Sequence, residues 1–482
     1  MIYTKPIRHD KNIHSHEVGS IMLLALVFGA VFLTVFSGLS GYVLSENNFE
    51  VQKRAQSQAI SLAEAGLEYY RWHLAHYPND LQNGTGQAGP YTVTYKDPQG
   101  GDVGTYTLNI KGNQSCGQTT SIDISSTGVP ADDQKVSETL VARYAQPTVA
   151  QYSYIVNASV WAGGDRIING PYHSNGGIRM DGTTNAPVTS SLSKWTCTSS
   201  FHCTPNRTVN GVFGDGSNQN LWDYPTPQVD FGAISANFTS LKTIAEAQGL
   251  YFPALGSGKG YGYHLIFNGD GTVTIKKVTR VYVLWSIPID GSSDGNFARD
   301  YTLIRNEVTV GTYDIPSNCG LIYIANNVWV EGKISRKVTL VTANTKPSSV
   351  ATNAVLRGNI VYTTPDAGFT LLAQNDVLIA PDSPDYMNID GVFVAQGGAF
   401  GRNLYTCSYP SYSIKNTLTI LGSTISNKRT ATKWGYFTWW CGYNVSGYMT
   451  RIDSIDRSQY SNPPPFTPTI STDYKFVDWS QK

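Results

Sequence analysis

Four carboxylates, Asp376, Asp382, Asp385 and Asp390, fall within fifteen residues, with Arg402 downstream. Two carboxylates at a fixed separation are what glycosidic hydrolysis requires, one as acid and one as base or nucleophile. Pro381 and Pro384 interrupt the same stretch, so these aspartates also suit a turn in which they accept from backbone amides. Gly256-Ser257-Gly258-Lys259-Gly260 has the glycines of a phosphate loop. It lacks Ser or Thr after the lysine, and Pro253 stands where the first glycine is needed, which leaves a flexible loop. Asp290-Gly291-Ser292-Ser293-Asp294-Gly295-Asn296 offers oxygens to calcium but has neither the alternation nor the closing Glu of a helix-loop-helix site. His73 and His76 share a helical face without a recognisable third ligand. No Cys-x-x-Cys occurs. The expectation is a chain with no catalytic residue, no metal site and no cofactor.

The types that remain are those of binding and cross-linking. Trp434, Tyr436, Phe437, Trp439, Trp440 and Tyr443 are crowded beside Cys441. Exposed rings stack on sugars or anchor protein partners, so Trp434, Tyr436, Trp439 and Trp440 are the candidate ligand-binding residues. The same rings could instead cover the open end of a β-structure. The six cysteines permit disulfides in an exported chain. Cys197 and Cys203 enclose a short loop, Cys407 and Cys441 flank one region, and Cys116 with Cys319 follows by elimination. Buried free thiols are the alternative.

What delivers these residues is written at the other end. Val18 to Ser45 is a run of 28 residues without a formal charge, preceded by Lys5, Arg8 and Lys11 against Asp10 and Glu17. About 20 apolar residues in a helix cross a bilayer. A basic leader stays cytoplasmic, so the bulk of the chain should face outwards. From Glu46 to His76 no proline occurs, and Val51, Ala55, Ala59, Leu62, Gly66, Tyr70 and Leu74 form one helical stripe. Pro78 with Asn79-Asp80 ends it. One helix over residues 20–77 is predicted, apolar all round in its first half and amphipathic in its second.

Gly19-Ser20-Ile21-Met22-Leu23-Leu24 after a basic leader resembles a type IV prepilin cleavage region. Ala63-Glu64-Ala65-Gly66-Leu67 resembles the signature that ends the N-terminal helix of PilX-type minor pilins. The likeness covers about the first 145 residues. It implies cutting between Gly19 and Ser20 by a prepilin peptidase. It further implies insertion in the inner membrane through residues 20–45, then transfer by an assembly platform into a filament of other pilin subunits. Major subunits carry Glu at the fifth mature position, where this chain has Leu24, which favours a minor or tip subunit.

Composition frames the remainder. Charged residues are 15% and the formal net charge is zero, which excludes a dedicated nucleic-acid surface. Tyr91–Tyr95, Gly104–Ile110, Ser121–Ser126 and Val136–Tyr144 read as a four-stranded meander laid on the helix. Beyond Pro147, a glycine followed closely by an apolar strand returns at Gly332, Gly358, Gly391 and Gly422, at spacings of 26, 33 and 31 residues. That loose period predicts β-solenoid coils, with a β-sandwich as the alternative. The fold class is α+β, mainly β. The units are a leader (1–19), the helix (20–77), a pilin-like meander (78–146), a solenoid (147–445) with an α+β insertion over about 208–316, and an extended tail (446–482). Asp230 should cap the insertion's helix, and Asn268-Gly269-Asp270-Gly271 should join its strand pair.

The functional expectation is a non-enzymatic minor or tip subunit of a type IV pilus-like filament. It would display its β-rich domain outside the cell to a glycan or other surface ligand, without nucleic acid. The alternatives are a membrane-anchored polysaccharide lyase or hydrolase and an envelope scaffold.

Overall fold

The computed structural model describes residues 18–78, 80–256, 258, 260–289, 295–346 and 350–482, with side chains from residue 21. The basic leader lies outside the described residues, as do Asn79, Ser257, Lys259, most of the Asp290 loop and 347–349.

A single helix, α1, runs from Val18 to His76. Its residues from Ile21 to Arg54 are exposed throughout, including Leu24, Phe28, Phe32 and Phe36. Its last turns pack on an antiparallel sheet of β1 (Tyr91–Lys96), β2 (Asp102–Ser115), β3 (Gln118–Pro130) and β4 (Glu138–Ala145). Ala55, Ala59, Leu62, Gly66, Tyr70 and Leu74 of the expected stripe are buried there, together with Ala63 and Leu67. Val51 is exposed, because the helix has already left the sheet at that point. The contact is unusually close. A Cβ on Gly66 would lie 2.2 Å from Ser126 Oγ, and one on Gly128 would lie 2.1 Å from the Ala59 carbonyl oxygen. Small residues on both surfaces therefore set the distance between helix and sheet.

The meander gains a fifth strand. Lys475–Gln481 returns from the far end of the chain and pairs antiparallel with β4. The segment 446–482 is accordingly no free extended tail: it includes most of the strand Gly442–Ser454, a short helix Arg457–Ser461, a proline strap and this edge strand. The strap lies along the β-domain, with Thr339 donating to the Pro465 carbonyl and Thr467 within 2.6 Å of Thr370. Its prolines supply acceptors only, which suits the hydroxyl donors beside it.

From Tyr154 onward the chain forms parallel ladders. One in-register row runs Leu250, Ile322, Leu340, Leu371, Phe393, Thr424, Tyr154, Tyr172, Val188, Trp222. A second row runs Leu265, Val330, Leu356, Ile379. A third runs Ile360, Ile389, Ile420, Asp453, Ile168, Thr184. The recurring glycines sit where one strand serves two rows. Gly391 and Gly422, both at positive φ, are register partners, and a Cβ on Gly422 would meet the Gly391 carbonyl oxygen at 2.0 Å. Asparagines bind turn to turn, with Asn375 donating to Asn353 and Asn353 N–H to Asn327.

Two expectations change here. Gly262–Asn268 pairs antiparallel with Thr272–Ser286 but also parallel with Val328–Ile334, so this part of 208–316 is a rung of the ladder and not an excursion from it. The single helix expected after Asp230 is two, Phe231–Ile234 and Phe238–Gln248. Asp230 accepts from Gly232 N–H, and Asn237 starts again by accepting from Ser240 N–H.

The rows also reveal the path of the chain. It enters at Tyr154, runs outward to Trp222–Asp223, crosses back through the two helices and restarts at Leu250–Phe252. It then climbs until Thr424–Ser426 meets Tyr154–Val156 and Arg451–Ser454 meets Arg166–Asn169. At this seam the apolar third row is broken by Asp453, whose carboxylate accepts from Arg166 Nε at 2.6 Å, both side chains being almost fully buried. The Arg166 guanidinium lies 4.1 Å from the Tyr154 ring centroid. Cys116, in the β2–β3 turn, is bonded to Cys319 and ties the head to the ladder.

Two outcomes follow from this packing. Gly128→Ala, which must push the helix off the sheet, should lower stability by about 1–3 kcal/mol in denaturant unfolding, as overpacking does. The exposed Glu64→Ala control should stay within about 0.5 kcal/mol. Asp453→Asn strands a buried guanidinium and should cost about 3–5 kcal/mol, with hydrogen exchange rising first at 154–156 and 166–169. The double change Arg166→Met with Asp453→Leu should recover most of that loss.

Candidate functional site

The aromatic cluster is a β-hairpin. Lys433–Thr438 pairs antiparallel with Gly442–Ser454, and the Cys407–Cys441 disulfide ties its tip to the preceding loop. Alternation across the strands divides the rings into two sets. Trp434 and Tyr436 are rooted: Trp434 Nε1 donates to the Arg402 carbonyl at 2.8 Å, and Tyr436 Oη accepts from Cys407 N–H at 2.8 Å. Trp439 and Tyr443 are 93% and 90% exposed, and Trp440 and Phe437 are more than half exposed. Phe437 holds this set together, 5.9 Å from Trp439 and 4.8 Å from Tyr443 between ring centroids.

A second hairpin, Thr272–Ser286 with Ala298–Asp314, stands beside the first. Phe297 approaches Trp440 at 6.2 Å, and Trp285 N–H donates to Tyr409 Oη. It adds exposed Tyr282, Trp285 and Tyr301, with Arg305 over Tyr282 at 5.3 Å and Arg299 over Trp285 at 5.9 Å. The sequence reading missed this half of the surface. Its signal was the unbroken Val281-Tyr282-Val283-Leu284-Trp285, which puts apolar side chains on both faces of a strand. Register shifts within the hairpin turn Tyr282 and Val283 outward together. Grouped exposed rings of this kind are candidates for a contact surface.

At the foot of the first hairpin lies a pocket of about 310 Å³, lined by Trp161, Arg166, Arg429, Lys433, Trp434 and Arg451 among others. Asp165 pairs with both Lys433 and Arg451. Burial raises the Asp165 carboxyl, but the Lys433 ammonium and Arg451 guanidinium outweigh it and hold the group below the ordinary carboxylate range. Arg429 donates to the Ser200 carbonyl at 3.0 Å and lies over the Phe201 ring at 4.2 Å. Burial alone pulls its guanidinium down. The wall carrying Ser199, Ser200 and His202 is the loop closed by the Cys197–Cys203 disulfide.

The aspartates considered for catalysis are dispersed into structural contacts. Asp376 accepts from Ala399 N–H, Asp382 from Arg357, and Asp390 from Tyr362 N–H, while Asp385 pairs with Lys415. Arg402 is fully buried and donates to the Pro381 carbonyl. Arg357 also reaches Glu331, which faces the buried His264, so this cluster laces neighbouring rungs together. His73 pairs with Asp80 and His76 Nδ1 donates to the Trp72 carbonyl oxygen, without a shared centre. Among the described residues, no group of three or more His, Cys, Asp and Glu side chains is placed to hold a metal. The Asp290 calcium loop and the Ser257 and Lys259 positions of the glycine loop lie outside the described residues. At the other end, Gly19 and Ser20 fall within α1. Of the Ala63–Gly66 signature, Ala63 and Gly66 face the sheet, Ala65 is half-buried and Glu64 points to solvent.

No protein-family model matches the chain, and no curated protein is similar to it. Among solved structures it is similar to the competence-associated pilin ComZ from Thermus thermophilus, at 13% identity and a TM-score of 0.28, over 89% of this chain and 97% of that one. A likeness this distant leaves fold and function to be read from the residues themselves.

The two sets of rings differ in what their loss should do. Trp439→Ala removes a solvated side chain and should leave unfolding within about 0.5 kcal/mol of the parent. Trp434→Ala removes a packed, hydrogen-bonded indole and should cost about 2 kcal/mol or more, read by denaturant titration.

Proposed function

We propose that this chain is a minor, tip-proximal subunit of a type IV pilus-like filament, and that its β-domain makes contact with an outside surface. The observation that carries this reading is the division of α1. Its second half has a partner in the five-stranded sheet, while among the described residues nothing packs on Ile21 to Leu44, which are apolar on every side. Such a segment is long and apolar enough to cross a bilayer. A bilayer alone would satisfy it without the rigid continuation into a packed head. A bundle of like helices would use both halves.

In this reading residues 1–19 are removed by a prepilin peptidase, the chain waits in the inner membrane with its bulk outside, and an assembly platform passes it to its fellow subunits. Leu24 offers no carboxylate to a neighbour's amine, in keeping with a place at the end of the fibre. The parallel ladders are the coils of a β-solenoid, and the two aromatic hairpins are its contact face. A binding role is supported over a catalytic one by the engagement of Asp382 and Asp385 with Arg357 and Lys415.

Mass spectrometry of the protein taken from sheared filaments of its own cell should give an N-terminus at Ser20. A chain recovered only from membranes, with residues 1–19 still attached, would end the filament reading.

A further inference from the structure

The pocket at the foot of the hairpin has an electrostatic imbalance that the surrounding fold leaves uncompensated. Arg166, Arg429, Lys433 and Arg451 line it, and among the described residues the carboxylates that reach them are two, Asp165 and Asp453. Arg166 and Arg451 are register partners on adjacent rungs and each has its own carboxylate, Asp453 and Asp165; the excess positive charge is Arg429 together with Lys433, which shares Asp165 with Arg451. Among the described residues, Arg429 meets no carboxylate; it has a carbonyl and a ring.

Two buried polar atoms point the same way. Arg451, 7% exposed, has no partner for Nε, and Thr430, 6% exposed, has none for Oγ1; both residues line this pocket. A buried donor without a partner costs about 1–3 kcal/mol, and an occupant that supplies an acceptor would remove that cost. The lining also holds hydroxyls and indoles, those of Ser199, Ser200 and Thr432 and of half-buried Trp161 and Trp434. At about 310 Å³ the space is at the lower end of small-ligand sites, room for one compact unit and not for a helix or strand.

We infer that this pocket binds a carboxylate-bearing sugar ring, with the acid group on the arginine side and the ring hydroxyls toward the Ser and Thr wall. A guanidinium edge matches a planar carboxylate in two parallel hydrogen bonds. An indole beside it gives the apolar face of a sugar somewhere to rest. The inference goes beyond the filament reading and does not depend on it, since the pocket is formed whether the chain sits in a fibre or in a membrane.

The test is calorimetric titration of the full chain in detergent micelles with a galacturonate trisaccharide, its fully methyl-esterified form and a single-stranded oligonucleotide. Binding of the acid form, weakened at least tenfold by esterification and by Arg429→Gln, with the unliganded variant still unfolding in one cooperative transition, is the expected result. Equal affinity for acid and ester, indifference to Arg429→Gln, tighter binding of the oligonucleotide, or no heat with any acid form would each overturn it. Should Arg429→Gln fail to fold, the comparison of acid with ester on the parent protein still decides. An uncleaved N-terminus together with acid-specific binding would remove the filament reading and leave the pocket standing.

Discussion

The Arg166–Asp453 ion pair is the constraint on which the β-domain turns. A chain that enters a stack of rungs in the middle must later find its own starting strand among many of similar shape. Valine and isoleucine rows pack almost equally well at several registers. An arginine and an aspartate facing the core do not, because a slip of one residue sends every side chain to the opposite face and strands both charges. Burial of the pair adds little net stability of its own. Its effect is on the alternatives, which become costly. Tyr154 and Tyr172, register partners on adjacent rungs, stack on each other at 5.3 Å, and the guanidinium lies over both rings.

The head obeys a different constraint, one of distance. Where α1 meets the sheet, Ala59, Ala63 and Gly66 face Gly128 and Ser126, and side chains larger than these would separate the layers. The Ala63–Leu67 signature is thus a packing rule: small residues inward, Glu64 outward. The same helix breaks every rule of a soluble surface thirty residues earlier, with Leu23, Leu26, Phe32, Leu33 and Phe36 about 70% exposed. One element carries two incompatible surfaces, one covered by the sheet and one apolar and uncovered among the described residues.

The sequence made some of this legible and hid the rest for physical reasons. The α1 stripe and the four strands of the head could be read because their periods of 3.6 and 2 residues are local properties. The ladder left a trace through glycines such as Gly391 and Gly422, which stack because a Cβ at one would strike the backbone of the other. The order of the rungs was not legible: nothing near Tyr154 says that its neighbour is Thr424, 270 positions later. For the same reason Lys475–Gln481 looked like a tail, since an edge strand is defined by a partner far away in the chain. The aromatic hairpin was visible as composition, but the pocket was not. Arg429, Lys433 and Arg451 lie in or beside the hairpin in sequence, whereas Trp161 and Arg166 arrive only when the seam closes.

The disulfides redraw the molecule's load path. A pull between α1 and the hairpin tip need not travel the whole backbone. It passes from Cys116 directly to Cys319, a jump of 203 positions, and reaches the tip loop through Cys407 and Cys441. Everything from Gly117 to Asn318, including the outermost rungs, hangs outside the tensioned line. The extensible length of the chain is shortened by that much. Traction that would peel rungs from an uncrosslinked ladder is carried instead by covalent bonds, and the outer coils can keep their shape while the inner ones bear the strain.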